Sequence, residues 1–531
     1  MEFDFLIVGA GSAGCVLANR LSANGKYQVA VIEAGGKDTS PWIHIPVGYF
    51  KTMGNPKTDW CYHTEPDPGL NGRSIAWPRG KVLGGSSSIN GLLYVRGQAE
   101  DYDGWRQLGN EGWGWDDVLP YFKKSETWEN NSSEYRGKSG PLQVSPTRLK
   151  RQVVDAWIDA AENAGYAKNN DYNGQEQEGV GYFQLTAKNG RRCSSAVAYL
   201  NPAKSRSNLQ VFTNTHVVKL NFEGKCVTGL EARQGNKLVT FKARREVVLS
   251  SGALASPQLL MVSGIGDSAE LSSQGIETLQ ELKGVGKNLQ DHLQARPVFK
   301  VNVSTINTEI GNYFKQALIG LEYLLKRTGP MTMAASLGTG FLKTRPELAT
   351  PDIQFHVQPF SADKPADGPH PFSAFTASVL QMRPESAGHL ELTSSDMRDY
   401  PKIHPNYLST QLDCDTIVEG IRIAREIARQ EPLRSLITEA HGPSDAIPDD
   451  DYDALLNWAR DTSTTIYHPT GTCKMGKDPM SVVDARLRVH GIRGLRVADC
   501  SIMPIIVSGN TNAPAMMIGE KVSDMILEDA A

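Results

Sequence analysis

Four consecutive apolar residues, Phe5-Leu6-Ile7-Val8, break directly into Gly9-x-Gly11-x-x-Gly14, and this junction constrains the chain more than any other stretch of it. A short continuous apolar run is the pattern of a strand buried on both faces of a parallel sheet. Ala13, Val16, Leu17 and Leu21 then recur at helical spacing, and Val29-Ala30-Val31-Ile32 gives a second buried strand that ends at Glu33. The order predicts a βαβ unit whose crevice opens at the carboxyl ends of the strands. Glycines there allow a tight turn and let backbone N–H groups and a helix N-terminus approach a pyrophosphate. Glu33, nineteen residues past Gly14, is placed for ribose hydroxyls. The bland alternative is a glycine turn in an unrelated α/β fold, and the motif by itself does not separate a nicotinamide from a flavin dinucleotide.

At 531 residues the chain exceeds one ordinary hydrophobic core. Glu246-Val247-Val248-Leu249 and Leu495-Arg496-Val497-Ala498-Asp499 read as later returns to the first sheet, with Ser256-Pro257 as cap and first position of a helix. A last helix carries Ile518, Val522, Met525 and Ile526 on one face. The stretch from about 300 to 465 differs: alternating runs such as Ile353-Gln354-Phe355-His356-Val357 and His389-Leu390-Glu391-Leu392 are interleaved with helices around 311–327 and 412–430. The expectation is α/β (α+β overall): a Rossmann-like domain from 1–155, 205–300 and 466–531, and an inserted domain from 156–204 and 301–465. The insert is expected to be a mixed, largely antiparallel sheet with helical cover.

Composition excludes several classes. The formal net charge is −4 with no basic stripe, which argues against nucleic acid. The seven cysteines, at 15, 61, 193, 226, 414, 473 and 500, form no CxxC pair, so neither a disulfide framework nor a zinc knuckle is expected, and a reducing, cytoplasmic setting is. No apolar stretch approaches the ~20 residues of a membrane span; a peripheral contact with the inner membrane stays open.

A second glycine- and serine-rich block, Gly80-Lys81-Val82-Leu83-Gly84-Gly85-Ser86-Ser87-Ser88-Ile89-Asn90-Gly91 followed by Tyr94 and Gly97, is long enough to lie along an extended cofactor. This block resembles the first signature of the glucose-methanol-choline oxidoreductases. Gly252-Ala253-Leu254-Ala255-Ser256-Pro257-Gln258-Leu259-Leu260-Met261-Val262-Ser263-Gly264-Ile265-Gly266 resembles their second, and Gly284-Val285-Gly286-Lys287-Asn288-Leu289-Gln290-Asp291-His292 another recurrent block. The resemblance runs from residue 3 to about 528. It implies FAD, a two-domain fold and oxidation of an alcohol by hydride transfer. It places Gly9, Gly11, Ser12, Gly14, Glu33 and Ala34 on the ADP half, Val82, Gly85, Asn90, Gly91, Leu92 and Leu93 near the flavin, Val217 near the adenine and Asp499 at the closing strand. Some members link the flavin covalently to a histidine at the position of Ile89; isoleucine cannot form that bond, so the FAD is expected to be noncovalent.

In Tyr467-His468-Pro469-Thr470-Gly471-Thr472-Cys473-Lys474-Met475-Gly476, Pro469 restricts the backbone of His468 and helps aim its ring. By resemblance this imidazole faces the flavin and is the general base; a buried core histidine is the alternative. Cys473 and His490 do not make a recognisable ligand spacing, so no metal is expected. In Ser508-Gly509-Asn510-Thr511-Asn512-Ala513-Pro514, Asn512 is expected to cap the last helix and, by resemblance, to be the second catalytic residue, its amide holding the substrate oxygen. A dyad of Asp291 and His292 is rejected as structural, and Arg191-Arg192 is read as solvated surface. The expected reaction is oxidation of a neutral primary alcohol to its aldehyde, with a quinone-like acceptor or O2. An alcohol oxidase, a sorbose-type sugar or choline dehydrogenase, and an FAD-containing hydroxynitrile lyase are the competing readings.

Overall fold

The computed structural model describes residues 1–130, 133–363, 368–441 and 446–531. β1 (Glu2–Val8), α1 (Ser12–Leu21) and β2 (Val29–Ile32) form the βαβ unit, with β1 and β2 parallel. Leu209–Phe212 adds outside β2, and Lys237–Leu249 lies on the other side of β1, both parallel to their neighbours. Leu495–Val497 pairs in parallel with the far end of Lys237–Leu249, so the two strands read as returns to the sheet both join it. The near end of Lys237–Leu249 pairs antiparallel with Cys226–Gln234, which pairs with Thr215–Glu223. The parallel strands are buried on both faces: Leu6, Ile7, Ala30, Val31, Val247 and Val248 are all fully inaccessible.

The second sheet runs in the order Ile437–His441, Val298–Val301, Ala374–Gln381, Ile353–Gln358, Gly338–Leu342, Gly179–Tyr182, with Leu293–Ala295 and Thr464–Thr465 attached at one edge. Every pairing described within it is antiparallel, so it is less mixed than expected. Its inner strands are also buried on both faces, because Trp157 and Gln411–Ala428 cover one side. Among the described residues, His389–Glu391 does not join this sheet and pairs only with Lys402–His404.

Two helices matter for the site. The helix expected to start at Ser256-Pro257 starts earlier, spanning Gly252–Val262 with Pro257 inside it. A proline at that position leaves the carbonyl four residues back without its helical donor. That carbonyl, Ala253 O, instead accepts a hydrogen bond from Thr472 Oγ1 at 2.6 Å, so the His468 loop supplies what the helix lacks. The last helix, Asn512–Ala530, packs on α1 so closely that a Cβ on Gly519 would stand 2.9 Å from Val16 Cβ and 3.0 Å from Ala13 O. Ser12 Oγ donates to Asn512 Oδ1 at 2.8 Å, so the N-termini of α1 and the last helix meet.

Candidate active site

The glycine loop is shaped by contacts that leave no room for side chains. Gly9 has φ +97°, and a Cβ on Gly14 would lie 1.9 Å from Gly9 O. Gly11 differs: its Cβ would meet only Ser250 O, at 3.7 Å, so its open side faces free space beside the N-terminus of α1. No side chain caps that helix and no acidic residue stands in its first turn. Free N–H groups, a positive helix end and a bare backbone fit the pyrophosphate of a dinucleotide.

The other loops close around it. Glu33 is buried, and its Oε2 accepts from Ala10 N at 2.8 Å and its Oε1 from Gly35 N at 2.7 Å; burial raises its pKa. Each carboxylate oxygen retains a lone pair for a ribose hydroxyl. Gly84 N donates to Ala10 O at 2.7 Å, Val82 bridges to Gly36, and a Cβ on Gly85 would meet Gly11 Cα at 2.7 Å, so the 80–90 block lies directly on the first loop. Ala34 lies between the Glu33 and Gly35 contacts, and Val217 sits in the strand whose first residue, Thr215, donates to Glu33 O. Asp499 Oδ2 accepts from Gly252 N and Ser256 Oγ.

At the end of the block, Asn90 Oδ1 accepts from Leu92 N at 3.0 Å, and Leu92 holds φ +64°. Gly91 is pressed against Ala335, where a Cβ would fall 2.3 Å from Ala335 Cβ, and Leu93 is buried nearby. Arg192 corrects an expectation. Arg191 is exposed, but Arg192 is buried and donates to Ile43 O, Ser87 O, Asn90 Oδ1 and Asn90 O. Burial drops its pKa to about 9. No salt bridge pairs it with a carboxylate among the described residues, so this cation serves backbone carbonyls and the Asn90 amide.

His468 is buried, between Tyr467 at φ +71° and Pro469. Its backbone N–H donates to Asp291 Oδ1 at 2.7 Å, and Asp291 Oδ2 accepts from Thr465 and Tyr407 hydroxyls. Burial lifts Asp291 to about 6 despite these donors. His468 Nδ1 lies 3.0 Å from His292 Nδ1, and its Nε2 lies 3.0 Å from Asn510 Nδ2. His292 Nε2 lies 2.8 Å from Met382 O, which can only accept. Burial holds His292 down to about 4 and His468 well below the ordinary histidine range, so both rings are neutral at neutral pH. The protons follow. His292 donates from Nε2, so its Nδ1 accepts from His468 Nδ1–H, and the lone pair of His468 is left on Nε2.

Asn512 is not where its expected role needs it. Its Oδ1 accepts from Ser12 Oγ at 2.8 Å, tying the N-termini of α1 and the last helix together, and the helix cap is Thr511. The amide at His468 belongs to Asn510, two residues earlier in the loop. Asn510 Oδ1 faces Gln354 Nε2 at 3.4 Å, which turns its NH2 toward the histidine. Asp291 and His292, set aside in the sequence, therefore both contact His468 directly. Asn510 was recognisable only as one of two asparagines in a single motif. Gln354 and His356 carried no signal beyond strand alternation, which puts them on the same face. Gln354 Oε1 and His356 Nε2 are buried without a partner. Two further histidine–carboxylate clusters, Asp363–His370–His441 and His389–Glu391–His404, share no residue with this network.

A bare helix end for a pyrophosphate, feeding a buried neutral imidazole, is the layout of a dinucleotide-dependent oxidoreductase. GMC oxidoreductase family models match residues 3–294 and 384–519. The chain is 42% identical over 535 residues to the mitochondrial choline dehydrogenase of Mus musculus, covering 99% of this chain and 89% of that protein. It is 42% identical over 529 residues to an alcohol dehydrogenase [acceptor] of Pseudomonas putida, covering 99% and 96%. Among solved structures, pyridoxine 4-oxidase from Mesorbium loti superposes with a TM-score of 0.90 at 30% identity over 99% of both chains. A formate oxidase variant of Aspergillus oryzae RIB40 gives 0.92 at 29% identity over 99% and 98%. The chain belongs to the GMC oxidoreductase family and is an FAD-dependent enzyme. Ile89, buried against Val82 and Ile43, offers no atom for a covalent link, so the FAD is noncovalent. No helix among the described residues is long and apolar enough to cross a membrane.

Proposed function

We propose that this enzyme oxidises a neutral primary alcohol to its aldehyde, with His468 as base and Asn510 as the amide that holds the substrate oxygen. The observation that carries the reading is the tautomer relay from Met382 O through His292, which leaves an acceptor lone pair on His468 Nε2 beside a donor on Asn510 Nδ2. An alcohol hydroxyl that replaces the Asn510 amide at the Nε2 lone pair gives its proton to Nε2, and its oxygen accepts from Asn510 Nδ2 as negative charge grows on it. FAD, when bound, supplies the acceptor for the hydride that leaves the carbinol carbon. Gly9, Gly11, Ser12, Gly14 and Glu33 hold its ADP half, with Ala34 and Val217 beside the adenosine and Asp499 at the closing strand. Val82, Gly85, Asn90, Gly91, Leu92 and Leu93 line the flavin side. Asn512 braces the pyrophosphate end through Ser12. A neutral substrate is preferred over choline because the only carboxylate bonded into this network, among the described residues, is Asp291, whose oxygens are engaged behind the His468 backbone. The unpartnered Gln354 Oε1 and His356 Nε2 suit the polar part of such an alcohol. The electron pair goes on to a quinone-like acceptor or O2, in the cytoplasm and in peripheral contact with the inner membrane.

The test is anaerobic addition of primary alcohols, sugars and choline to the purified holoenzyme while the flavin absorbance is followed. Bleaching by a neutral primary alcohol is the expected result, and air then separates the acceptors: fast recovery with peroxide marks an oxidase, slow recovery a dehydrogenase. Bleaching by choline alone overturns the substrate class. Bands that no alcohol bleaches overturn the redox reading in favour of a lyase.

A further inference from the structure

Helix α2 (Tyr313–Lys326) presents its apolar side to solvent. Phe314, Leu318, Leu321 and Leu325 recur at steps of four, three and four, which places them on one stripe, with Ala317 and Leu324 beside it. All six are exposed; Phe314 and Leu325 are each 74% accessible and Tyr313, in the first turn, 90%. The inward side is thin. Tyr323 is the helix's only buried residue, its hydroxyl donating to Gly190 O at 3.1 Å, and Ile319 is half-buried. A helix that packs on a core turns its leucines inward. This one is reversed, and a contiguous exposed patch of this kind marks a surface that something covers.

The charges around the stripe say what that is. Lys315 and Lys326 flank it on the helix, and Arg327 follows with its guanidinium over the Tyr323 ring. The hairpin tip beneath, held by Gly190, adds exposed Lys188 and Arg191, and Arg148 bonds Asn189 in the same tip. The one acid of the helix, Glu322, is engaged by Thr328 Oγ1 at 2.8 Å. An apolar stripe with aromatic residues at one end and a collar of cations fits the boundary between anionic headgroups and acyl chains. A second copy fits poorly, because a two-fold interface would set this cationic collar against itself.

We propose that α2 is an in-plane membrane anchor that binds anionic lipid surfaces. The proposal locates the peripheral contact named in the functional reading above and rests on that reading for the setting. The chain then runs from the anchor through Pro330–Thr332 to Ala335, whose N–H donates to Gly91 O at 3.2 Å. Ala335, which touches the loop assigned to the flavin, is thus nine residues from the end of the lipid-facing helix.

The experiment is flotation of the holoenzyme with vesicles of phosphatidylcholine alone and of phosphatidylcholine mixed with phosphatidylglycerol, at low and high salt. Binding to the mixed vesicles that weakens with salt is expected. The double variant Leu321→Glu, Leu325→Glu should lose it by more than about tenfold, and Lys188→Glu with Lys326→Glu should lose the preference for anionic lipid. Both pairs are exposed, so fold and flavin spectrum should be unchanged. Failure of the native enzyme to float, or unchanged flotation of the leucine variant, overturns the anchor. So does a dimer seen by light scattering that Leu321→Glu disrupts while vesicles are ignored. Flavin reduction by alcohols, read with a water-soluble dye as acceptor, is scored separately. An enzyme that floats but reduces with no alcohol keeps the anchor and loses the alcohol reading.

Discussion

His292 Nδ1 stands 3.0 Å from His468 Nδ1, and this contact between residues 176 apart in the chain decides which nitrogen of the base carries the lone pair. Removing His468 by His468→Ala should lower kcat by roughly 10²–10⁴ with FAD retained. His292→Ala should act on the same step by freeing the tautomer: kcat falls, KM changes little, and the acidic limb of the pH–rate profile moves. His292→Gln can accept from His468 and donate to Met382 O, so it should recover part of the loss. Equal loss in both variants, with no shift in the pH profile, would reduce His292 to packing.

Asn510 and Asn512 should separate cleanly. Asn510→Ala is expected to lower kcat while the flavin content stays normal, because it removes the amide at Nε2. Asn512→Ala should instead lower FAD retention and thermal stability, since it breaks the tie between Ser12 and the last helix. Flavin-to-protein ratio and single-turnover reduction of the loaded enzyme measure the two effects independently.

Arg192 should behave as a cofactor-loop residue rather than a surface charge. Arg192→Met leaves Ile43 O, Ser87 O and the Asn90 groups without their buried donor, at about 1–3 kcal/mol for each group that finds no substitute. The expected outcome is a lower melting temperature and FAD lost on gel filtration. Arg191→Met, at an exposed position, is the matched control and should do neither.

The enzyme should be acid-sensitive before its carboxylates titrate in the ordinary range. Burial depresses His292 to about 4, His356 to about 3 and His468 well below the usual value. Below the unfolded histidine pKa, near 6.5, the unfolded chain binds protons these rings refuse. Stability is therefore full above that value and falls as pH drops toward the folded values, by about 1.4 kcal/mol per pH unit per histidine. Asp291 works the other way: raised to about 6, it takes up a proton in the folded state first and offsets one histidine. His216, also held down to about 4 by burial, adds a fourth histidine, and Glu33 and Asp101, both raised by burial, join Asp291. Four against three leaves a net loss, and the measured melting temperature should stay level from pH 7.5 to about 6.5 and fall from there toward 4.5.

What the sequence revealed follows the range of the interactions involved. The βαβ unit was legible because its strand run, glycines and Glu33 all lie within 33 residues and act locally. The returning strands at 246–249 and 495–497 are legible as buried runs, but the strands at 215–223 and 226–234 carry no such run, because they alternate weakly along a half-exposed edge. Asn510 and Asn512 could not be told apart without the backbone: which of them faces His468 depends on where the last helix begins. The sequence starts the helix at 252 five residues late because Pro257 satisfies the rule for a first-turn proline, and the hydroxyl that serves the carbonyl it leaves open is Thr472, far along the chain. Arg192 looked like its neighbour Arg191, and only the fold distinguishes them.

That exchange between Pro257 and Thr472 makes the helix a socket for the loop that carries the base. Any residue at 257 with an amide hydrogen would donate to Ala253 O along the helix and make the threonine hydroxyl share it. A defect in one element thereby becomes a registration mark for another, and two signatures read separately in the sequence are parts of a single joint.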